Sequence, residues 1–116
     1  METSGGDVEA ESGLIAVFIT APSADAAEKL ARGVLEKKLA ACVSMVSGVR
    51  SLFWWEGKLD GAEEVMLICK TRMELADELS AYICKNHDYE VPEVIVLPII
   101  GGNPEYLKWV KDSTVE

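Results

Sequence analysis

Basic side chains are scarce in this sequence: 11 lysines and arginines stand against 20 aspartates and glutamates, a net charge of −9. Binding to phosphate backbones needs a basic footprint, so nucleic acid is excluded as a partner. Adsorption to anionic lipid is excluded on the same ground. Long apolar runs are missing as well. No stretch reaches the roughly 18–20 apolar residues that cross a bilayer, so no membrane segment is expected. From Met1 to Gly13 the chain is small, polar and acidic (Glu2, Asp7, Glu9, Glu11). A secretory signal needs a basic start followed by an apolar stretch. Cysteine is limited to Cys42, Cys69 and Cys84, an odd number in apolar contexts. Reduced thiols fit that better than a disulfide framework, and the expected location is cytoplasmic.

Histidine is rarer still, with His87 the single example. A Ser-His-Asp triad would have to centre on it, and no serine lies in a nucleophile elbow. Gly-rich phosphate loops, zinc-finger spacings and the His-Glu-x-x-His pattern are absent too. No catalytic constellation is recognisable, and the protein is expected not to be an enzyme.

What the sequence does have is apolar content. Of 116 residues 49% are hydrophobic, too many for a disordered chain and enough for one domain with its own core. Residues 1–13 read as a disordered acidic tail and 14–116 as a single domain. The run from Leu14 to Ile19 is short, apolar and rich in β-branched residues, the signature of a buried strand. Ser23 is a helix cap, and Ala27, Leu30, Ala31, Val34 and Leu35 form one apolar stripe behind it. Ala41 to Trp55 is extended, with a bend or bulge at Gly48. Turn chemistry from Glu56 to Gly61 predicts a hairpin, with Glu64 to Lys70 returning. Thr71 and Glu74 fit a capping box for a helix that ends near His87. Val94 to Leu97 is a buried strand, and Pro98 sets its end at an edge or bulge. Asn103 and Pro104 open a last helix with Tyr106, Leu107, Trp109 and Val110 on its apolar side.

The order β-α-β-β-α-β plus a terminal helix is the split βαβ, ferredoxin-like pattern. An α+β fold follows, a four-stranded antiparallel sheet with helices on one face. The stretch 64–70 is apolar on both alternations, and Phe53, Trp54 and Trp55 cannot share one face. A second face buried by copies of the same chain is expected.

Two positions carry distinctive chemistry. His87 stands at a helix end with Cys84 before it and Asp88, Glu90 and Glu93 after it. Imidazole with carboxylates suits copper, zinc or nickel. The alternative is a histidine that partners the negative helix end, with Cys84 in the core. Lys70, at the end of an apolar strand, either snorkels or binds an anion in a cleft between subunits.

Six blocks then suggest a family. They are Thr20 to Pro22, Leu39 to Val43, Ser51 to Leu59, Lys70-Thr71, His87 to Glu93, and Tyr106 to Trp109. In this order and spacing, across residues 14–112, the chain resembles the CutA family of divalent-cation tolerance proteins. The resemblance implies a ferredoxin-like protomer in a tight homotrimer, similar to PII-type signalling proteins, with Phe53 and Trp54 at the trimer interface. It implies a role in the response to metal ions, with copper or another divalent cation bound weakly by His87, Glu93 and Asp88. Bacterial relatives proposed to bind copper carry a cysteine and a His-His pair where this chain has Ile19 and Asn86-His87. The other reading is a PII-like small-molecule sensor or anchoring scaffold. Its cleft between subunits would lie near Trp55, Lys70 and Tyr89, with a small anionic ligand or a protein as partner.

Overall fold

The computed structural model describes residues 12–114. The acidic stretch 1–11, most of the expected tail, lies outside them. Ser12 and Gly13, assigned to that tail, are tied down: the Ser12 hydroxyl donates to the Ile99 carbonyl at 2.6 Å, and the Gly13 carbonyl accepts from the Met73 N–H at 2.9 Å.

Strand β1 (Leu14–Ala21) leads into helix α1 (Ala24–Glu36). The Ser23 hydroxyl accepts from the Ala26 N–H at 3.1 Å, the expected cap. Ala27, Leu30, Ala31 and Val34 are buried as the stripe requires, while Leu35 falls outside it and is exposed. Strands β2 (Cys42–Trp55) and β3 (Lys58–Arg72) form a long hairpin. Its register shifts between Val46 and Val49, around Gly48 at φ 77°. The turn is tighter than expected. Only Glu56 and Gly57 lie between the strands, at φ 51° and 80°. Positive φ at both central residues suits the right-handed twist of the flanking strands.

The capping box does not form. Thr71 stays in the sheet opposite Ile15, buried, and its hydroxyl has no partner among the described residues. Glu74 turns to Arg72 instead, at 3.1 Å. A short 3-10 turn (Met73–Leu75) follows, and helix α2 runs only from Ala76 to Asn86. Ladder pairing with β1 claimed a residue that local spacing assigned to a helix start. Strand β4 (Val94–Ile99) comes next, then helix α3 (Pro104–Ser113). The Asn103 side chain accepts from the Glu105 N–H at 3.0 Å, with Pro104 in the first turn as expected.

All strand pairs are antiparallel, in the order β2-β3-β1-β4, and the fold is α+β with one four-stranded sheet and three helices. Helices α1 and α2 cover one face. There Ile15, Val17 and Ile19 of β1 and Leu67 and Cys69 of β3 pack on Leu30, Val34, Leu79 and Ile83. Helix α3 lies against the other face. The Arg72 guanidinium, on the alternation opposite Thr71, donates to Thr114 Oγ1 at 2.9 Å and to the Thr114 carbonyl at 2.8 Å. Tyr106 and Trp109 of α3 remain exposed despite their place on its apolar side. β4 was expected to be buried, yet Ile95, Val96 and Leu97 are 39–47% exposed. β4 is an edge strand paired with β1 alone, and Val96 stays open although it pairs with Val17 on the face that α1 and α2 cover.

Candidate functional site

The tight turn sets the register of the outer hairpin: Ser51 faces Ala62, Phe53 faces Asp60 and Trp55 faces Lys58. Directly paired residues share a face. Ser51, Phe53 and Trp55 therefore stand on the same side as Asp60 and Glu64. Trp54 points the other way and is 74% exposed. The loop from α2 to β4 rises opposite this side and presents Tyr89, Glu90, Val91 and Glu93. Between loop and hairpin is an open cleft of about 730 Å³, with Thr20 of β1 at its base.

Glu64 organises the cleft. It is 8% exposed. The Ser51 hydroxyl donates to its Oε1 at 2.6 Å and the Tyr89 phenol to its Oε2 at 2.9 Å. Burial raises the Tyr89 pKa, and donation to the Glu64 carboxylate raises it further. Asp60, Glu90 and Glu93 add three more carboxylates, and the lining holds no lysine, arginine or histidine. Apolar walls beside like charges focus a negative potential inside.

His87 caps α2, and both its ring nitrogens are engaged. Nε2 lies 2.7 Å from the Thr20 carbonyl, which can only accept, so Nε2 carries the proton. Nδ1 accepts the Tyr89 N–H at 2.9 Å. The imidazole also lies against the Tyr89 ring, 4.9 Å between centroids. With Asp88, Asp25 and Lys29, His87 borders a separate, smaller cleft of about 290 Å³. Glu93 borders the larger one. The three residues assigned to a metal are thus divided between two depressions. Among the described residues, no three histidine, cysteine, aspartate or glutamate side chains gather in a metal-holding cluster. Ile19 is fully buried, and Asn86 donates to the Tyr82 carbonyl at 2.8 Å. Cys84 is exposed and Cys69 is the cysteine in the core. A closed, high-affinity copper site does not fit these donors.

Trp55 and Tyr89 share the cleft, but Lys70 does not join them within the protomer. Its ammonium donates to the Ser44 hydroxyl at 3.0 Å. Lys70 pairs with Cys42 at the far end of the hairpin, about 40 Å of extended strand from the partner of Trp55. Sequence reading passed over Glu64 and Ser51. The available signal was a carboxylate on the alternation of β3 that Met66 and Ile68 continue.

The family model described as CutA1 divalent ion tolerance protein matches residues 15–113. The chain is 50% identical over 102 residues to "Protein CutA 1, chloroplastic" of Oryza sativa subsp. japonica, covering 88% of this chain and 58% of that one. It is 48% identical over 100 residues to "Protein CutA, chloroplastic" of Arabidopsis thaliana, covering 86% of this chain and 55% of that one. The chain thus spans less than two thirds of either plant relative. The crystal structure of CutA1 from Oryza sativa superposes with a TM-score of 0.86 at 50% identity, covering 89% of this chain and 94% of that one.

Proposed function

The chain belongs to the CutA1 divalent ion tolerance family, and from that premise we propose that it is a non-enzymatic homotrimer that binds copper or another divalent cation weakly in the response to metal ions. The observation that carries this reading is the crowding of carboxylates on both sides of the His87–Tyr89 turn. Asp25 and Asp88 stand on one side, Asp60, Glu64, Glu90 and Glu93 on the other. His87 can ligate only by giving up the Tyr89 N–H, and Asp88 and Glu93 supply oxygen donors on either flank. Binding that costs an existing hydrogen bond is weak binding. Assembly is supported by the apolar side chains left open on one protomer, Trp54, Ile95, Val96 and Leu97 among them. Phe53 and Trp54, on opposite faces of the hairpin, would meet different neighbours. Among the described residues no helix is long and apolar enough to cross a membrane. The three free thiols suit a reducing compartment such as the cytosol.

Copper calorimetry with light scattering on the same sample tests this. A trimer with a saturable event that His87→Ala weakens is the expected result. A trimer without saturable binding removes the metal from the account.

The size of the larger cleft favours a second reading, a small-molecule sensor or scaffold similar to PII-type trimers. Small-molecule sites occupy roughly 300–1,000 Å³.

A further inference from the structure

We infer that the larger cleft is a site for an organic cation with an apolar body, such as an aryl- or alkylammonium group. This rests on the small-molecule reading of the cleft and specifies its ligand class. Three observations meet there. Trp55 stands on the cleft side of the hairpin and keeps 59% of its surface open on one protomer, with Phe53 on the same side nearer the assembly contact proposed above. Indole and phenyl faces attract cations, most strongly when water is displaced. Asp60, Glu64, Glu90 and Glu93 line the same space, whose lining holds no basic side chain; Lys58, paired with Trp55, stands on the same face outside it. Of the carboxylates, Glu64 is the fixed one, 8% exposed and held by Ser51 and Tyr89.

The same details disfavour other occupants. An anion would enter a space lined by carboxylates. A bare divalent ion needs several inner-sphere donors converging on one point, and no such cluster exists among the described residues. An organic cation needs no ligation. It needs negative potential, an aromatic face and apolar wall, and Val91 adds to that wall.

Calorimetry on the full-length protein with benzyltrimethylammonium tests the assignment, with tetramethylammonium, benzyl alcohol and benzoate as comparisons. Saturable binding is expected for benzyltrimethylammonium. Each comparison should be weaker by about tenfold or more, since losing charge or aromatic body removes on the order of one such factor. Glu64→Gln removes the charge and keeps one acceptor oxygen, so that one of the Ser51 and Tyr89 hydroxyls turns to accept from the amide NH2, and it should weaken binding by about tenfold. Trp55→Leu should do the same through loss of the aromatic face. No saturable binding of benzyltrimethylammonium, or binding indifferent to both variants, overturns the proposal. Benzoate binding in its place would overturn the cationic assignment while leaving the small-molecule reading intact. If none of the four probes binds, that reading fails too. The copper titration stands apart, because it follows His87, which does not line this cleft.

Discussion

The Tyr89 phenol and the Glu64 carboxylate, 25 residues apart, meet at 2.9 Å and fasten the α2–β4 loop to the outer half of β3. Tyr89→Phe removes the donor and leaves Glu64 with Ser51 alone. Hydrogen bonds to charged groups are worth roughly 1.5–3 kcal/mol, and partial exposure lowers this one to about 1 kcal/mol. The Tyr89 pKa is raised from 10.0, so the folded state holds the phenolic proton more tightly than the unfolded state does. The contribution is complete below pH 10 and is lost as pH rises through the folded value. Tyrosinate absorbance should show two late-titrating phenols, Tyr89 and Tyr106, of which one is missing in Tyr89→Phe, and chemical denaturation should give the stability difference.

Cys69 should mark alkaline unfolding. Burial pushes its thiol from 9.0 up to about 12, against a smaller opposing pull from Lys70. A raised value means stability present below pH 9 and progressively lost toward pH 12. Denaturation midpoints measured across that window should fall more steeply for the wild type than for Cys69→Ala. Thiol labelling should follow burial: exposed Cys84 first, half-buried Cys42 next, and Cys69 only on unfolding.

Gly33 of α1 has no space for a methyl group, because a Cβ there would overlap the hydroxyl of Tyr82 on α2. Gly33→Ala gains about 1 kcal/mol of helix propensity and meets an overpacking cost of about 1–3 kcal/mol. Net destabilisation is expected. In a Tyr82→Ala background the same substitution should become stabilising. A thermodynamic cycle in urea reads the change of sign; equal effects in both backgrounds would show that the two helices do not touch there.

Trp54, 74% exposed, faces away from the cleft, and in the proposed assembly another chain would cover it. Trp54→Asp should yield monomer or aggregate in light scattering and lower the midpoint of thermal unfolding, because folding and assembly are linked by mass action. A variant that stays assembled and equally heat-resistant would place the interface elsewhere.

His87 offers a spectroscopic check on the site. Its hydrogen bonds to the Thr20 carbonyl and the Tyr89 N–H fix a neutral ring protonated at Nε2. Nitrogen-resolved NMR near neutral pH should report that tautomer, and copper should perturb Nδ1 first.

Features governed by neighbours in sequence were legible before the structure. Ser23 caps α1, Gly48 bends β2, Glu56-Gly57 turns the hairpin, and Asn103-Pro104 starts α3. Each depends on φ preference or on a bond spanning two or three residues. Where distant pairing competes, local reading failed. Thr71 and Glu74 have the spacing of a helix start, but pairing with Ile15 holds Thr71 in β3. The site was legible in part. Trp55, Tyr89 and Glu93 were marked and do share a cleft. Glu64 was not, because its partners lie 13 and 25 residues away. Lys70 was grouped with Trp55, and only the register places them at opposite ends of the hairpin.

The hairpin carries one more consequence. β1 pairs with β3 no further than Ala21 opposite Val65, so beyond Glu64 the two long strands run on as an overhang with no third strand. A lone two-stranded ribbon is marginally stable in water. Its amides from Val49 to Gly61 should therefore exchange with solvent quickly in a lone protomer, and slowly where the proposed assembly covers them. Exchange at this ribbon, rather than in the core beneath α1 and α2, would time how long the copies stay in contact.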